Sequence, residues 1–418
     1  MSTKTAFDLI FRNARTRSSA IPVDIGVAGG RIAAIEPRLA GEAAEIDVGG
    51  RLALPGFVDT HIHLDKVLIR DQLAEHDGTL RGAIDAIHAA KRGYTVEDVR
   101  RRATAVIEAS VLTGTTRLRS HVDVDTVGGL VPLEGVRAAA RDCADIAEVQ
   151  IVAFPQEGLL RDPGAADLMA EAMQRGATVV GGMPHWEATE DAQREHVRLC
   201  FELAARHDAD VDMHVDETDD GSVRTLAMVV AETERRGWQH RVTVGHVCAL
   251  AAADHDYAER VIADCARLGI TVVANPVTNL VIQGRGDRGL VRRGTTRVRE
   301  LMAAGVPVAF GQDCVQDGFY PFGRGDLLEV ALISAHAAHL STAAELHQAL
   351  AAVTSVPAAA WHLGAGYGVA AGARADLQLY AATSWPEVLR LQDPPRQVWS
   401  RGRSVARTTV TRELVRVI

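Results

Sequence analysis

Two apolar rhythms alternate along most of the chain. Short apolar and β-branched runs at 57–63, 116–124, 149–154, 177–183, 210–215, 241–247, 270–275 and 306–311 read as strands. Between them, apolar residues recur at helical spacing, as in 96–112, 165–174, 193–207 and 223–236. Eight strand–helix repeats over about 300 residues have the size of a (β/α)8 barrel, and their even spacing favours a closed barrel over a doubly wound open sheet. The two ends differ from this middle. DLIFRNA, VDIGVAGGRIAAIEP and EIDVGGRLALPG within 8–53, and YGVAAGARADLQLY and QVWSRGRSVARTTV within 367–413, read as short strands joined by glycine turns. The expected fold is α/β, a TIM-like barrel with a small β-sandwich formed by the N- and C-terminal segments. The expected division is 1–55 for the N-terminal part of the sandwich, 56–362 for the catalytic barrel and 363–418 for the C-terminal part.

Composition narrows the class. With 47% hydrophobic and 24% charged residues in 418, disorder, collagen and coiled coil are excluded. A net charge of −9 argues against nucleic acid as a partner. No apolar run approaches the roughly 18 residues of a membrane span, and the start, MSTKTAFDLIFRN, lacks the apolar core of a signal peptide. The five cysteines, 143, 200, 248, 265 and 314, form no C-x-x-C pair, which fits reduced thiols in a cytoplasm. A cytoplasmic homo-oligomer acting on a small molecule is expected. Only Lys4, Lys66 and Lys91 are lysines, against 42 arginines, an imbalance that base composition explains.

The chemistry gathers at strand ends. The first barrel strand runs into DTHIHLD, so His61 and His63, two apart, face one way. The fifth ends in DMHVDE, with His214 and Glu217; the sixth in VGHV, with His246; the eighth in FGQD, with Asp313. Carboxyl ends of strands are where barrels build active sites. Any one histidine is more often structural, but four with a carboxylate at the same face are a site. Imidazoles plus one carboxylate suit a borderline divalent ion such as Zn²⁺ or Fe²⁺, not Mg²⁺ or Ca²⁺. Such an ion makes a water acidic enough to act as a nucleophile, and Glu217 is placed to shuttle its proton.

These residues resemble the amidohydrolase superfamily, and within it the cytosine deaminase branch, from end to end of the chain. The selective segments are FVDTHIHLD (57–65), RSHVDVD (119–125), QIVAFPQEG (150–158), MPHWE (183–187), DMHVDE (212–217), VANPVTNLVIQGR (273–285) and GQDCVQDGFYPFG (311–323). The resemblance implies a hydrolytic deaminase of a free pyrimidine base, with one Fe²⁺ or Zn²⁺ held by His61, His63, His214 and Asp313. It implies that His246 orients and helps deprotonate the attacking water, and that Glu217 protonates the ring nitrogen beside the attacked carbon. Asp313 would also pass a proton to the departing amine. Gln156 would bind the amide-like edge of the ring, the backbone at Leu80 in DGTL would contact the same ring, and His185 would line the pocket.

The lysine shortage now matters. Binuclear members of the superfamily bridge two metals with a carbamylated lysine on the fourth strand, and residues 177–185, ATVVGGMPH, contain none. Lys66 stands too near the first strand for that role, so one metal is expected. Departures from the branch concern specificity: Cys314 replaces a second acid, and Phe319 replaces a tryptophan. A cysteine is smaller and more apolar than aspartate. Beside carbon 5 of the ring it would admit a methyl or halogen; a neutral replacement without that effect is the equal alternative.

Other signals carry less. Gly284, Gly286 and Gly289 spell G-x-G-x-x-G without the strand–helix context of a phosphate cradle. His185-Trp186-Glu187 matches H-x-E of another zinc deaminase fold, but its P-C-x-x-C partner is absent. No G-x-S-x-G elbow is present. His121, at the end of the second strand, is expected in the pocket or the core, the core being slightly favoured, and the arginines at 100–102 and 292–299 on solvated faces. The competing activities are removal of an alkylamine from a triazine, as in the isopropylammelide branch, and deamination of isocytosine, isoguanine or creatinine. A non-catalytic scaffold is disfavoured because every ligand position is kept.

Overall fold

The computed structural model describes residues 6–74, 80–289 and 291–415. Eight strands, Phe57–Ile62, Thr115–Asp123, Glu148–Phe154, Val179–Gly182, Asp210–Val215, Val242–His246, Thr271–Ala274 and Val308–Phe310, lie side by side in chain order. All seven neighbouring pairs are parallel. A parallel bridge between Ile62 and Asp313 brings the eighth strand back to the first, closing the barrel. Strands covered on both faces read as continuous apolar runs, and Thr115–Asp123 is buried at every position. Side chains of the strands and surrounding helices form one continuous core, from Phe57 and Leu118 through Met213 to Phe310.

The two ends of the chain meet in a second, mixed sheet. Strand Leu52–Pro55 pairs antiparallel with Leu377–Tyr380, which continues into Gln397–Ser400 and Arg403–Arg407. Strands Leu9–Thr16, Ser19–Ala28 and Arg31–Glu36 make the other half, joined to the first by the single register pair of Arg15 with Leu52. A separate core containing Phe11, Ile25, Leu377 and Trp399 fills it, with the Phe11 and Trp399 rings edge to face at 4.9 Å. The expected barrel and terminal β-unit are both present.

Element ends differ from the sequence reading for local reasons. The helix expected from Gln193 starts at Glu190, because Thr189 caps it by accepting from Ala192 N, and its first turn is acidic rather than apolar. The strand expected to Met183 stops at Gly182, and a 3-10 turn, Pro184–Trp186, follows. The arginine cluster at 100–102 is a correction. Arg100 and Arg101 pair with Asp142 and Asp98 at the surface, but Arg102 is 1% exposed and donates to the carbonyls of Asp65 and Val67. It thereby anchors the turn that leaves the first strand. Of the second cluster, Arg292 is exposed and paired with Asp287, whereas Arg297 is half-buried and donates to the carbonyls of Leu250 and Ala253. Among the described residues no helix is long and apolar enough to cross a membrane.

Candidate active site

Backbone geometry at the carboxyl ends of the strands turns the polar side chains inward. Asp216, His246, Val247 and Asp313 all adopt positive φ, between 51° and 70°. Such conformations are uncommon for residues with a Cβ, and they cluster where function fixes them. Room for the His61 ring comes from two glycines. A Cβ on Gly245 would lie 2.7 Å from His61 Cε1, and one on Gly311 would lie 2.7 Å from His61 Cβ.

The result is a buried convergence of donors. His214 Nε2 lies 3.2 Å from His61 Nε2 and 3.1 Å from His63 Nε2. Asp313 Oδ1 lies 3.5 Å from His61 Nε2 and 3.3 Å from His63 Nε2. His61, His214, His246 and Asp313 each present a donor atom within 4.8 Å of the others. Burial pushes the imidazoles of His61 and His214 well below their ordinary value, and that of His63 down to about 4, so all three are neutral. His63 Nδ1 lies 3.1 Å from the carbonyl oxygen of His121, which can only accept, so Nδ1 carries the proton and Nε2 presents a lone pair. That lone pair faces a carboxylate oxygen and another imidazole nitrogen. Such an arrangement repels itself unless a cation lies between, so the donor set fits a divalent metal.

Acid–base groups border this cluster. His246 Nδ1 lies 3.1 Å from Glu217 Oε1, and Asn279 Nδ2 donates to the same oxygen at 3.0 Å. Asn275 Nδ2 stands 3.3 Å from His246 Nε2. Burial pushes the Glu217 carboxyl up to about 7. It is therefore poised to give or take a proton near neutral pH.

The pocket above is lined by His63, Ile84, Gln156, Met183, His214, Glu217, Thr278, Asp313, Cys314 and Phe319. Gln156, Cys314 and Phe319 thus share one pocket with His63, His214 and Asp313. Cys314 Sγ lies 3.7 Å from Asp313 Oδ1, and burial raises its thiol well above the ordinary value. His185 is not among these lining residues; it lies on the 3-10 turn Pro184–Trp186, and burial of its ring lowers it to about 3. Leu80 opens helix Leu80–Lys91, but its side chain and residues 77–79 of DGTL lie outside the described residues. His121 is wholly buried, with Nε2 3.1 Å from Asp212 Oδ1, in agreement with a core role. Glu187 of MPHWE supports a loop: it accepts from Leu159 N, Leu160 N and His196 Nδ1.

Sequence reasoning missed a charged layer beneath the pocket. Asp123 accepts from Lys66 Nζ at 2.8 Å through one oxygen and faces Lys91 Nζ at 2.6 Å with the other, while Lys91 also pairs with Asp125 at 2.6 Å. Two of the chain's three lysines are thus 2% exposed or less. Burial penalises both ammonium groups, but the aspartates more than offset it and hold them above their ordinary value. Burial likewise opposes the Asp123 charge, yet the two ammonium groups keep its carboxyl well below the usual range. The available signal was the placement of Lys66 directly after HIHLD, with two aspartates in RSHVDVD.

Comparison with known proteins places the chain. The model of the Amidohydrolase family matches residues 68–406. The structure of 5-methylcytosine deaminase from Klebsiella pneumoniae, liganded with 5-fluorocytosine, is similar with a TM-score of 0.92 and 36% identity, over 98% of this chain and 99% of that one. N-isopropylammelide isopropylaminohydrolase from Burkholderia multivorans is similar with a TM-score of 0.85 and 33% identity, over 96% and 98%. The pterin deaminase of Rhizobium rhizogenes is 34% identical over 392 residues, 92% of this chain and 88% of that protein.

Proposed function

The chain belongs to the amidohydrolase family and is a hydrolase of carbon–nitrogen bonds, and on that premise we propose that it deaminates a free pyrimidine base. The substrate is cytosine or a 5-substituted cytosine, and the products are the uracil analogue and ammonia. The observation that carries this reading is the pocket wall. Gln156 and Glu217 present polar groups to a flat ring, while Cys314 and Phe319 give it a neutral, partly apolar edge.

His61, His63, His214 and Asp313 would hold one Zn²⁺ or Fe²⁺. When bound, that ion supplies a hydroxide equivalent near neutral pH by making a water acidic. Gln156 hydrogen-bonds the amide-like edge of the base and fixes which carbon faces the histidine cluster. Glu217, held by Asn279 and protonated below about pH 7, gives its proton to the ring nitrogen beside the attacked carbon. That carbon becomes a better electrophile. His246, tied to Glu217, orients the attacking water. Asp313 accepts one proton of the water and gives it to the amine, which leaves as ammonia, while the water's second proton passes to Glu217 as the carbonyl forms and restores its acid form.

A second reading is favoured by the pterin deaminase and isopropylammelide relatives: a pterin, or an N-alkylated triazine. One panel separates them. Purified protein loaded with Zn²⁺ or Fe²⁺ is given cytosine, 5-methylcytosine, isocytosine, isoguanine, creatinine, pterin and N-isopropylammelide, and released ammonia and alkylamine are measured. Ammonia from the cytosines at the highest kcat/KM is expected. Turnover confined to pterin, or isopropylamine without ammonia, overturns the cytosine reading.

A further inference from the structure

Lys66 does not line the pocket, yet it hydrogen-bonds to one residue that does, Gln156, and lies near another, Phe319. Its ammonium is 1% exposed, donates to Asp123 Oδ1 at 2.8 Å and to Gln156 Oε1 at 2.7 Å, and lies 6.0 Å from the centre of the Phe319 ring. An ammonium has only donors, and an amide side chain has one accepting and one donating end. The end of Gln156 that meets Lys66 is therefore its oxygen, and the amide nitrogen must point the other way. There Nε2 has Met183 Sδ at 3.3 Å, a weak acceptor that a ligand oxygen would outcompete. Met183, like Gln156, lines the pocket.

We propose that Lys66 is a positioning residue that locks the Gln156 amide with its NH₂ toward the pocket, so that the site selects rings presenting a hydrogen-bond acceptor, a carbonyl oxygen, at that edge. This rests on the reading of the pocket as a ring-binding site. Asp123 aims the ammonium, and Lys91 neutralises the second oxygen of Asp123. The donor that reads the substrate is thus set by a charge the substrate never meets. Neutral glutamine alone has no such preference, because its two ends are nearly equal in shape.

The test uses two rings that differ at carbon 2 and in the ring N–H that goes with it, and that carry no amine at carbon 4, the carbon attacked in cytosine: 2-pyrimidinone, with a carbonyl, and 2-aminopyrimidine, with an amine. Their Kd values are measured by calorimetry on the metal-loaded protein. The wild type should bind the carbonyl about tenfold more tightly, since a mispaired buried group forfeits a hydrogen bond and its desolvation. Lys66→Met should bring the ratio close to one, because the amide is then free to turn. Gln156→Glu should reverse it: Lys66 still pins one oxygen, and the other offers only an acceptor. This second variant keeps the ion pair and the side-chain shape, so it answers if Lys66→Met fails to fold. An unchanged preference in Lys66→Met, a carbonyl preference in Gln156→Glu, or no binding of either ring to the wild type overturns the proposal. Ammonia release from cytosine is measured on the same wild-type sample. Selective binding without turnover would sink the cytosine reading and leave the role of Lys66 standing.

Discussion

The backbone N–H of His63 donates to the carbonyl of Asp313 at 3.1 Å, while His63 Nε2 and Asp313 Oδ1 face each other at 3.3 Å. The same two residues therefore close the barrel and flank the donor cluster. Mutual repulsion of lone pair and carboxylate strains that seam, and a cation relieves it. Removal of metal by a chelator should abolish activity and also lower thermal stability. A ligand at a thousandfold its Kd stabilises by about 4 kcal/mol. Calorimetry with parallel metal analysis should show Tm falling on chelation and returning with Zn²⁺ or Fe²⁺ but not with Mg²⁺. An unchanged Tm would separate the seam from the metal.

Gly245 contributes no ligand, yet the His61 ring occupies the space where its Cβ would be, with 2.7 Å to Cε1. His61 is 0% exposed and cannot swing aside. Gly245→Ala should therefore displace one donor and cut bound metal well below one ion per chain, while circular dichroism stays unchanged. A fully loaded Gly245→Ala protein would show that the histidine cluster tolerates a shift of this size.

Lys91 binds Asp123 and Asp125, all three 2% exposed or less. Truncating one partner of a buried pair leaves an uncompensated charge, at about 3–5 kcal/mol. Lys91→Met should lose that much in urea unfolding. The pH dependence has a definite sign. Asp123 is held below its ordinary value, so its share is present above that value and is lost as pH falls through the depressed one. Lys91 is held above its ordinary value, so its share is present below that value and is lost as pH rises through the raised one. The stability gap between wild type and variant should be flat from about pH 5 to 9 and shrink on both sides. A gap that varies across the neutral range contradicts this pairing.

Glu217, raised to about 7 by burial, is protonated below that pH and can then act as a donor. Wild-type kcat/KM should fall as pH rises through about 7. Glu217→Gln keeps the Asn279 contact but carries no transferable proton. It should lower kcat by about 10²- to 10⁴-fold with metal content intact, and the alkaline fall should disappear from what activity remains. A variant within a few-fold of wild type would place the proton transfer elsewhere.

What was legible in the sequence had a local period. His61 and His63 share a face because strands alternate, and the terminal strands announced themselves through glycine turns and were rightly paired with each other. His246 and Asp313 followed from their place at strand ends. The remainder depends on pairings across the barrel, which no local period records. Lys66 reaches Asp123 at the end of the second strand and Gln156 just past the third, and Asn279 reaches Glu217 from the helix Pro276–Ile282 that follows the seventh. Arg102 looked like one of three surface arginines, yet its neighbours face solvent while it spans to Asp65 and Val67. His185, whose motif pointed to the pocket, lies on the 3-10 turn Pro184–Trp186 and is not among the residues that line it.

Cys314 follows Asp313 directly, lines the pocket and keeps its thiol neutral, since burial holds its pKa well above the ordinary value. A carboxylate at this position would stand beside the Asp313 carboxylate and take up more of the pocket edge. If that edge faces carbon 5, a neutral sulfur accepts a methyl group there, and the methyl adds apolar contact. One methylene-sized difference in a pocket amounts to about 1–3 kcal/mol in discrimination. The wild type should therefore turn over 5-methylcytosine at least as well as cytosine, and Cys314→Asp should shift the ratio of the two kcat/KM values toward cytosine by about tenfold or more. Both are read from paired ammonia-release kinetics, with metal content checked because the substitution adjoins a ligand. A wild type strongly preferring unsubstituted cytosine, or a ratio unmoved by Cys314→Asp, would mean that the thiol fills the wall without reading carbon 5.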